Sequence, residues 1–235
     1  LLYFLRPNDS LLRLRPTALR LRPILQACGN GSSELMSNIS SSLVGMLYNF
    51  QLMRLIGEDG VSAYGVLMYV QFIFVAIFIG YSIGCAPVVS FHFGAQNHGE
   101  LKSLLRKSAL LMASGGILLT IAARLLAAPL AHLFVGYDAG LFDLTAHAFR
   151  LFSWSFLLAG FNIFASGFFT ALNNGAISAA ISFLRTLVFQ TASVLILPLL
   201  LDVDGIWWAI TVAEIFAFLI SLTFLYLKRN KYHYL

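Results

Sequence analysis

Charge is scarce in this sequence. Asp, Glu, Lys and Arg supply 11% of its 235 residues against 59% hydrophobic ones, and mean hydropathy is +0.84. Soluble domains carry about 25% charged residues, so this composition cannot clothe a water-exposed globule. Cysteine is nearly absent as well. Cys28 and Cys85 fall in apolar helical stretches and read as small buried side chains, against a disulfide framework or a metal site. There is no phosphate-binding Gly-Lys loop, zinc-protease helix or nucleophile elbow, so nothing points to an enzyme. An initiator Met is missing too, and five apolar residues, Leu1 to Leu5, are too few for a signal peptide. They read as the tail of an earlier span, and the chain as a fragment.

What is plentiful is uninterrupted apolar sequence. A bilayer core takes roughly 20 helical residues, and a backbone in lipid must satisfy its own hydrogen bonds. Six stretches meet that length, at about 24–56, 61–90, 108–127, 144–172, 176–201 and 206–226. Residues 1–23 are left as the end of a preceding span and a basic loop, and 228–235 as a tail. The expected fold is all-α, a polytopic six-helix transmembrane bundle.

The net charge of +5 matters less than its placement. Eleven of the fifteen basic residues lie in the first loop, around Lys102 to Lys107 and in the tail, all on one side of a six-span chain. Lys and Arg are retained in cytoplasmic loops, so both ends are expected in the cytoplasm, with the chain multi-pass in the plasma (inner) membrane. Contact with lipid, not nucleic acid, accounts for the basic balance.

Span 61–90 carries Gly80 and Gly84 on one face, where a neighbouring helix is expected to approach closely. Pro87 is expected to disrupt this helix near its end, and Phe91 to Asn97 to form a loop. Asn97 and Glu100 then have the spacing of a capping box. His92, His98 and Glu100 lack the tight ligand spacing of zinc and read as loop residues. A linker from Pro129 to Asp143 and an acidic turn at Asp202-Val203-Asp204-Gly205 are expected, with Trp207 and Trp208 in the interface belt.

The first span is unusually polar. Gly31, Glu34, Asn38, Ser41, Gly45 and Asn49 recur every three or four residues and share one helical face. Leu35, Ile39, Leu43, Met46, Phe50 and Met53 form the apolar face beside it. An ionised group at a helix centre costs about 2.5 to 3.5 kcal/mol on insertion scales, so three residues draw attention. Glu34 is placed to bind a proton or sodium, or to face a cationic substrate; its bland reading is a hydrogen bond to a neighbouring helix. Arg185 reads as pairing with an interior carboxylate or as snorkelling to headgroups. Glu214 reads as paired in the interior in preference to coupling an ion.

Five pieces follow one another between these spans: Tyr48-Asn49-Phe50-Gln51-Leu52, Gly57-Glu58-Asp59-Gly60 through Ala63-Tyr64-Gly65, Ala86-Pro87 through Gly94-Ala95-Gln96-Asn97, Phe134-Val135-Gly136-Tyr137, and Gly205-Ile206-Trp207. Together they resemble the C-terminal half of a MATE (multidrug and toxic compound extrusion) transporter, closest to MepA-like members. The resemblance covers essentially the whole chain. It implies one lobe of a twelve-helix fold, partnered by a missing N-terminal lobe. It also implies export of small cationic or amphipathic compounds by alternating access, in exchange for protons or sodium and with no other cofactor. Glu34 matches the span that carries a coupling acid in several members. The family's tenth span often adds an aspartate, whereas 144–172 has only Asn162 in its interior, a departure from the two-acid arrangement. The alternatives are a lipid-linked oligosaccharide flippase, for which Arg185 is the lone pyrophosphate candidate, and an inactive or assembly half-protein.

Overall fold

The computed structural model describes residues 20–234, and among them there is helix and no strand. The basic loop and preceding-span residues expected at 1–19 lie outside the described residues. Helix α1 spans Leu21–Leu55, α2 Glu58–Gly94 and α3 His98–Val135. Helix α4, Ala139–Phe152, passes through a 3-10 turn at Ser153–Ser155 into α5, Phe156–Ala171. Helix α6, Gly175–Phe183, widens into a π segment at Leu184–Phe189 and continues as α7, Gln190–Ile196. Helix α8, Pro198–Tyr232, breaks at Asp202, whose φ is 49°.

Five of these rods are long and apolar enough to cross a bilayer. Helix α1, with 35 residues, is about 52 Å long at 1.5 Å per residue, and its polar face is what lowers its hydropathy. The connections are tight and chemically specified. Asn97 Oδ1 accepts from Glu100 N–H at 3.2 Å, Asp138 Oδ1 from Leu141 N–H at 3.0 Å and Asn174 Oδ1 from Ile177 N–H at 3.3 Å. Each is an N-cap that satisfies an orphan donor of the following helix.

Tertiary packing overrides several local expectations. Pro87 does not end its helix: α2 runs on to Gly94, so Phe91, His92 and Phe93 are helical. Ser90 Oγ donates to the Ala171 carbonyl at 2.9 Å and ties this last stretch to α5, and neighbouring helices are what make proline tolerable in a membrane helix. Pro129 likewise lies inside α3 and not in a linker, because Ala127, Ala131 and Val135 pack into the core. Gly80 and Gly84 receive no close helix; a Cβ added at either meets nothing within 4 Å. Close approaches between helices fall at Gly116, where a Cβ would lie 2.6 Å from the Leu157 carbonyl oxygen, at Gly160, 2.6 Å from the Phe78 ring, and at Gly167, against the Ser82 hydroxyl. Trp207 is fully buried in the core, not in the interface belt, and Cys28 is exposed, not buried.

The core divides along the bundle axis. One cluster joins Tyr48, Leu52, Leu67, Phe149, Phe156 and Trp207. The other joins Phe78, Leu101, Met112, Phe164, Phe168 and Tyr234. At the second cluster's end the α2–α3 turn, the α5–α6 turn and the end of α8 meet: the His98 and His233 rings lie 5.0 Å apart and Asn174 Nδ2 donates to Tyr232 Oη at 2.8 Å. At the opposite end His147 Nε2 and Asp204 Oδ1, 2.8 Å apart, join α4 to α8. Between the two clusters, on α5, the buried Asn162 meets the buried Glu214 of α8.

Candidate functional site

A cavity of about 320 Å³ opens between α1, α2, α5, α6 and the π segment, within the size range of small-molecule sites. From α1 it takes Glu34, Asn38, Ser41, Gly45 and Tyr48, alternating in steps of four and three, which is one stripe of a 3.6-residue helix. The proposed polar face therefore does line a cavity along most of its length. Asn49 leaves the stripe; it is exposed and does not line the cavity.

Glu34 is exposed on this wall and has no ion-pair partner among the described residues. Asn38 Nδ2 donates to the Glu34 main-chain carbonyl at 2.8 Å and does not engage the Glu34 carboxylate. The other charged residue on the wall, Arg185, is already engaged. Its Nε lies 2.9 Å from Glu214 Oε1 and 3.1 Å from Oε2, and its Nη2 2.7 Å from Oε1. Forked guanidinium–carboxylate contact of this kind is the strongest form of side-chain ion pair. Asn162 Nδ2 adds a hydrogen bond to Glu214 Oε2 at 2.7 Å and one to the Glu214 main-chain carbonyl at 3.0 Å.

Glu214 is thus 1% exposed and lies behind the wall, whereas Arg185, at 19%, bridges from it to the cavity. Arg185 does not snorkel; it pairs inward. It stands on the π segment, whose wider turn re-aims side chains and recurs at functional sites.

Sequence reasoning overlooked several contributors. Tyr48 of α1 and Tyr64 of α2 stack on the wall with centroids 5.0 Å apart. Gln71, also on the wall, is the one amide in the apolar run 61–89, and that isolation was a signal. Hydroxyls join α5 to α6: Ser166 Oγ lies 2.9 Å from both Ser178 Oγ and Ser182 Oγ, and Thr170 Oγ1 2.7 Å from Ser178 Oγ. Small polar residues of this sort bind membrane helices together. No three His, Cys, Asp or Glu side chains gather as a metal cluster among the described residues. The arrangement suits a cation: one free carboxylate, aromatic faces and neutral oxygen groups on an otherwise apolar wall.

The family model MatE matches residues 35–195. This chain belongs to the MatE family. No curated protein matches it by sequence. Among solved structures, an outward-facing multidrug resistance MATE family transporter of the MOP superfamily superposes with a TM-score of 0.86 at 18% identity, covering 96% of this chain and 51% of that one. The Vibrio cholerae MATE transporter VcmN in a mutant form gives 0.81 at 18% identity, with 90% and 48% coverage. A MOP superfamily transporter from Pyrococcus furiosus, described by the reverse polarity of its binding pocket, gives 0.80 at 20% identity, with 93% and 50% coverage. Identities this low establish a shared fold. The chain spans about half the length of these transporters and corresponds to a half-length lobe of their fold. This MatE protein is accordingly a multi-pass membrane protein of a family whose members transport and do not catalyse reactions.

Proposed function

We propose that this lobe binds small cationic, amphipathic compounds and, with a second six-helix lobe, exports them by alternating access in exchange for protons or sodium. The observation that carries the reading is the charge balance of the cavity: Glu34 is unpaired among the described residues, while Arg185 is neutralised by Glu214. A cavity with one net negative charge and a mostly apolar wall attracts a lipophilic cation and disfavours an anion. Glu34 then holds the cation, and cation and coupling ion each bind at the expense of the other. Transport follows only if the two access states hold them with different affinity. The same balance weighs against a flippase for pyrophosphate-linked lipid, whose headgroup requires a free cationic side chain.

In orientation, the end of the bundle bearing Lys102, Arg106, Lys107, Lys228, Arg229 and Lys231 is cytoplasmic on the positive-inside rule. The test is ethidium uptake into everted inner-membrane vesicles, where export runs inward, under an imposed proton or sodium gradient, with Glu34 intact or Glu34→Gln. Gradient-driven export lost in the variant supports the reading; equal export by both forms sinks it.

A further inference from the structure

Glu214 and Arg185 are more than a structural pair; we propose that they form a built-in counter-ion switch, in which protonation of Glu214 releases Arg185 to occupy Glu34 and expel a bound cation. The inference rests on the reading of Glu34 as the cation site and names how that site is emptied.

Three observations converge on it. First, among the described residues Arg185 is the one cationic side chain and Glu34 the one anionic side chain on the same cavity wall. Arginine is long, flexible and always charged, so a guanidinium that leaves Glu214 has one carboxylate to go to. Second, the pair is asymmetric: Glu214 is 1% exposed and fixed, whereas Arg185 is 19% exposed and on the cavity side. Release is therefore expected to move the arginine into the cavity and leave Glu214 in place. Third, the Glu214 pocket already holds what a neutral acid needs. Asn162 Oδ1 is buried and lacks a hydrogen-bond partner among the described residues, although Asn162 Nδ2 is bonded to Glu214. Buried polar atoms without partners are rare. A protonated Glu214 carboxyl would donate to Asn162 Oδ1 after rotation of that amide, and the orphan acceptor would be satisfied.

The step balances simply. A proton from cavity water bonds to a Glu214 carboxylate oxygen; the Arg185 Nε–H and Nη2–H contacts to that carboxylate break; the guanidinium keeps its charge and pairs with Glu34. The cationic substrate leaves, so one proton is bound for one charge displaced. Few other groups face Glu214. Arg185 comes from the π segment, Asn162 from α5 and Tyr48 from α1, while α6 and α7 contain no titratable residue. On α4, His147 is engaged by Asp204, ten residues and so about 15 Å along α8 from Glu214.

The test uses the full chain in lipid nanodiscs and tetraphenylphosphonium as the probe cation. Glu214→Gln stands in for the protonated acid and is expected to weaken probe binding at least ten-fold. Adding Arg185→Gln is expected to restore it to within three-fold, because the competing cation is gone. Glu214→Gln binding like the native chain overturns the proposal, as does a folded, monodisperse double variant that stays weak. A substrate-free readout separates this inference from the reading it rests on. The ¹⁵Nε resonance of Arg185 is expected to shift in Glu214→Gln and to shift again when Glu34→Gln is added. If the second change leaves it unmoved, the exchange does not occur, whatever the probe binds. If the native chain binds no probe, the cation-site reading fails while the resonance still decides whether Arg185 reaches Glu34.

Discussion

Glu34 and Glu214 are the same side chain in opposite settings. Glu34 stands on the open wall of the cavity, with no ion-pair partner among the described residues. Glu214 is buried behind that wall, forked by Arg185 and capped by Asn162. The contrast separates binding from stability. A buried charge is tolerable only when paired and hydrogen-bonded, so Glu214 is tied to its neighbouring helices, whereas the exposed Glu34 contributes little to the fold.

The contrast is open to direct attack. The largest effect is expected from Arg185→Ala, which strands the Glu214 carboxylate: breaking one side of a buried pair costs about 3 to 5 kcal/mol, to be read as a lowered denaturation midpoint in detergent. Replacing both partners with leucine is expected to recover most of that loss, since an apolar pair of similar volume is often neutral or better. Failure of the double change to recover would mean that the pair also positions the π segment.

Next comes Asn162→Leu, which removes both Nδ2 hydrogen bonds to Glu214 and is expected to cost about 1 to 3 kcal/mol in the same assay. Gly116→Ala belongs to a similar range, about 1 to 3 kcal/mol for overpacking, because its Cβ meets the Leu157 carbonyl. Gly80→Ala serves as the control that costs nothing, its site being open. His147→Ala at the far end, a half-exposed pair with Asp204, is expected to cost under about 1 kcal/mol. Smallest of all on stability is Glu34→Gln, within about 0.5 kcal/mol of the native chain, even as cation binding is lost. A large destabilisation from Glu34→Gln would erase the distinction between the two acids.

The sequence by itself determined the class of the molecule. A chain with so few charges and such long apolar runs must be helical in a bilayer, because lipid offers the backbone no hydrogen bonds. It also determined the polar stripe of α1, since Glu34, Asn38 and Ser41 fall on one face by helical periodicity alone, and the cap at Asn97, which acts over three residues. What extended beyond one helix was decided only by the tertiary structure. Pro87 and Pro129 look like helix ends until the packing of α2 against α5 and of α3 into the core carries the helices past them. Gly80 and Gly84 look like a contact face, yet the close approaches between helices are at Gly116, Gly160 and Gly167. Arg185 and Glu214, 29 residues apart, become partners only where the packed bundle sets the π segment against α8. Local periodicity fixes which face a residue shares within its own helix; which neighbour that face meets depends on the rotation and depth of every other helix, and that is a property of the packed bundle.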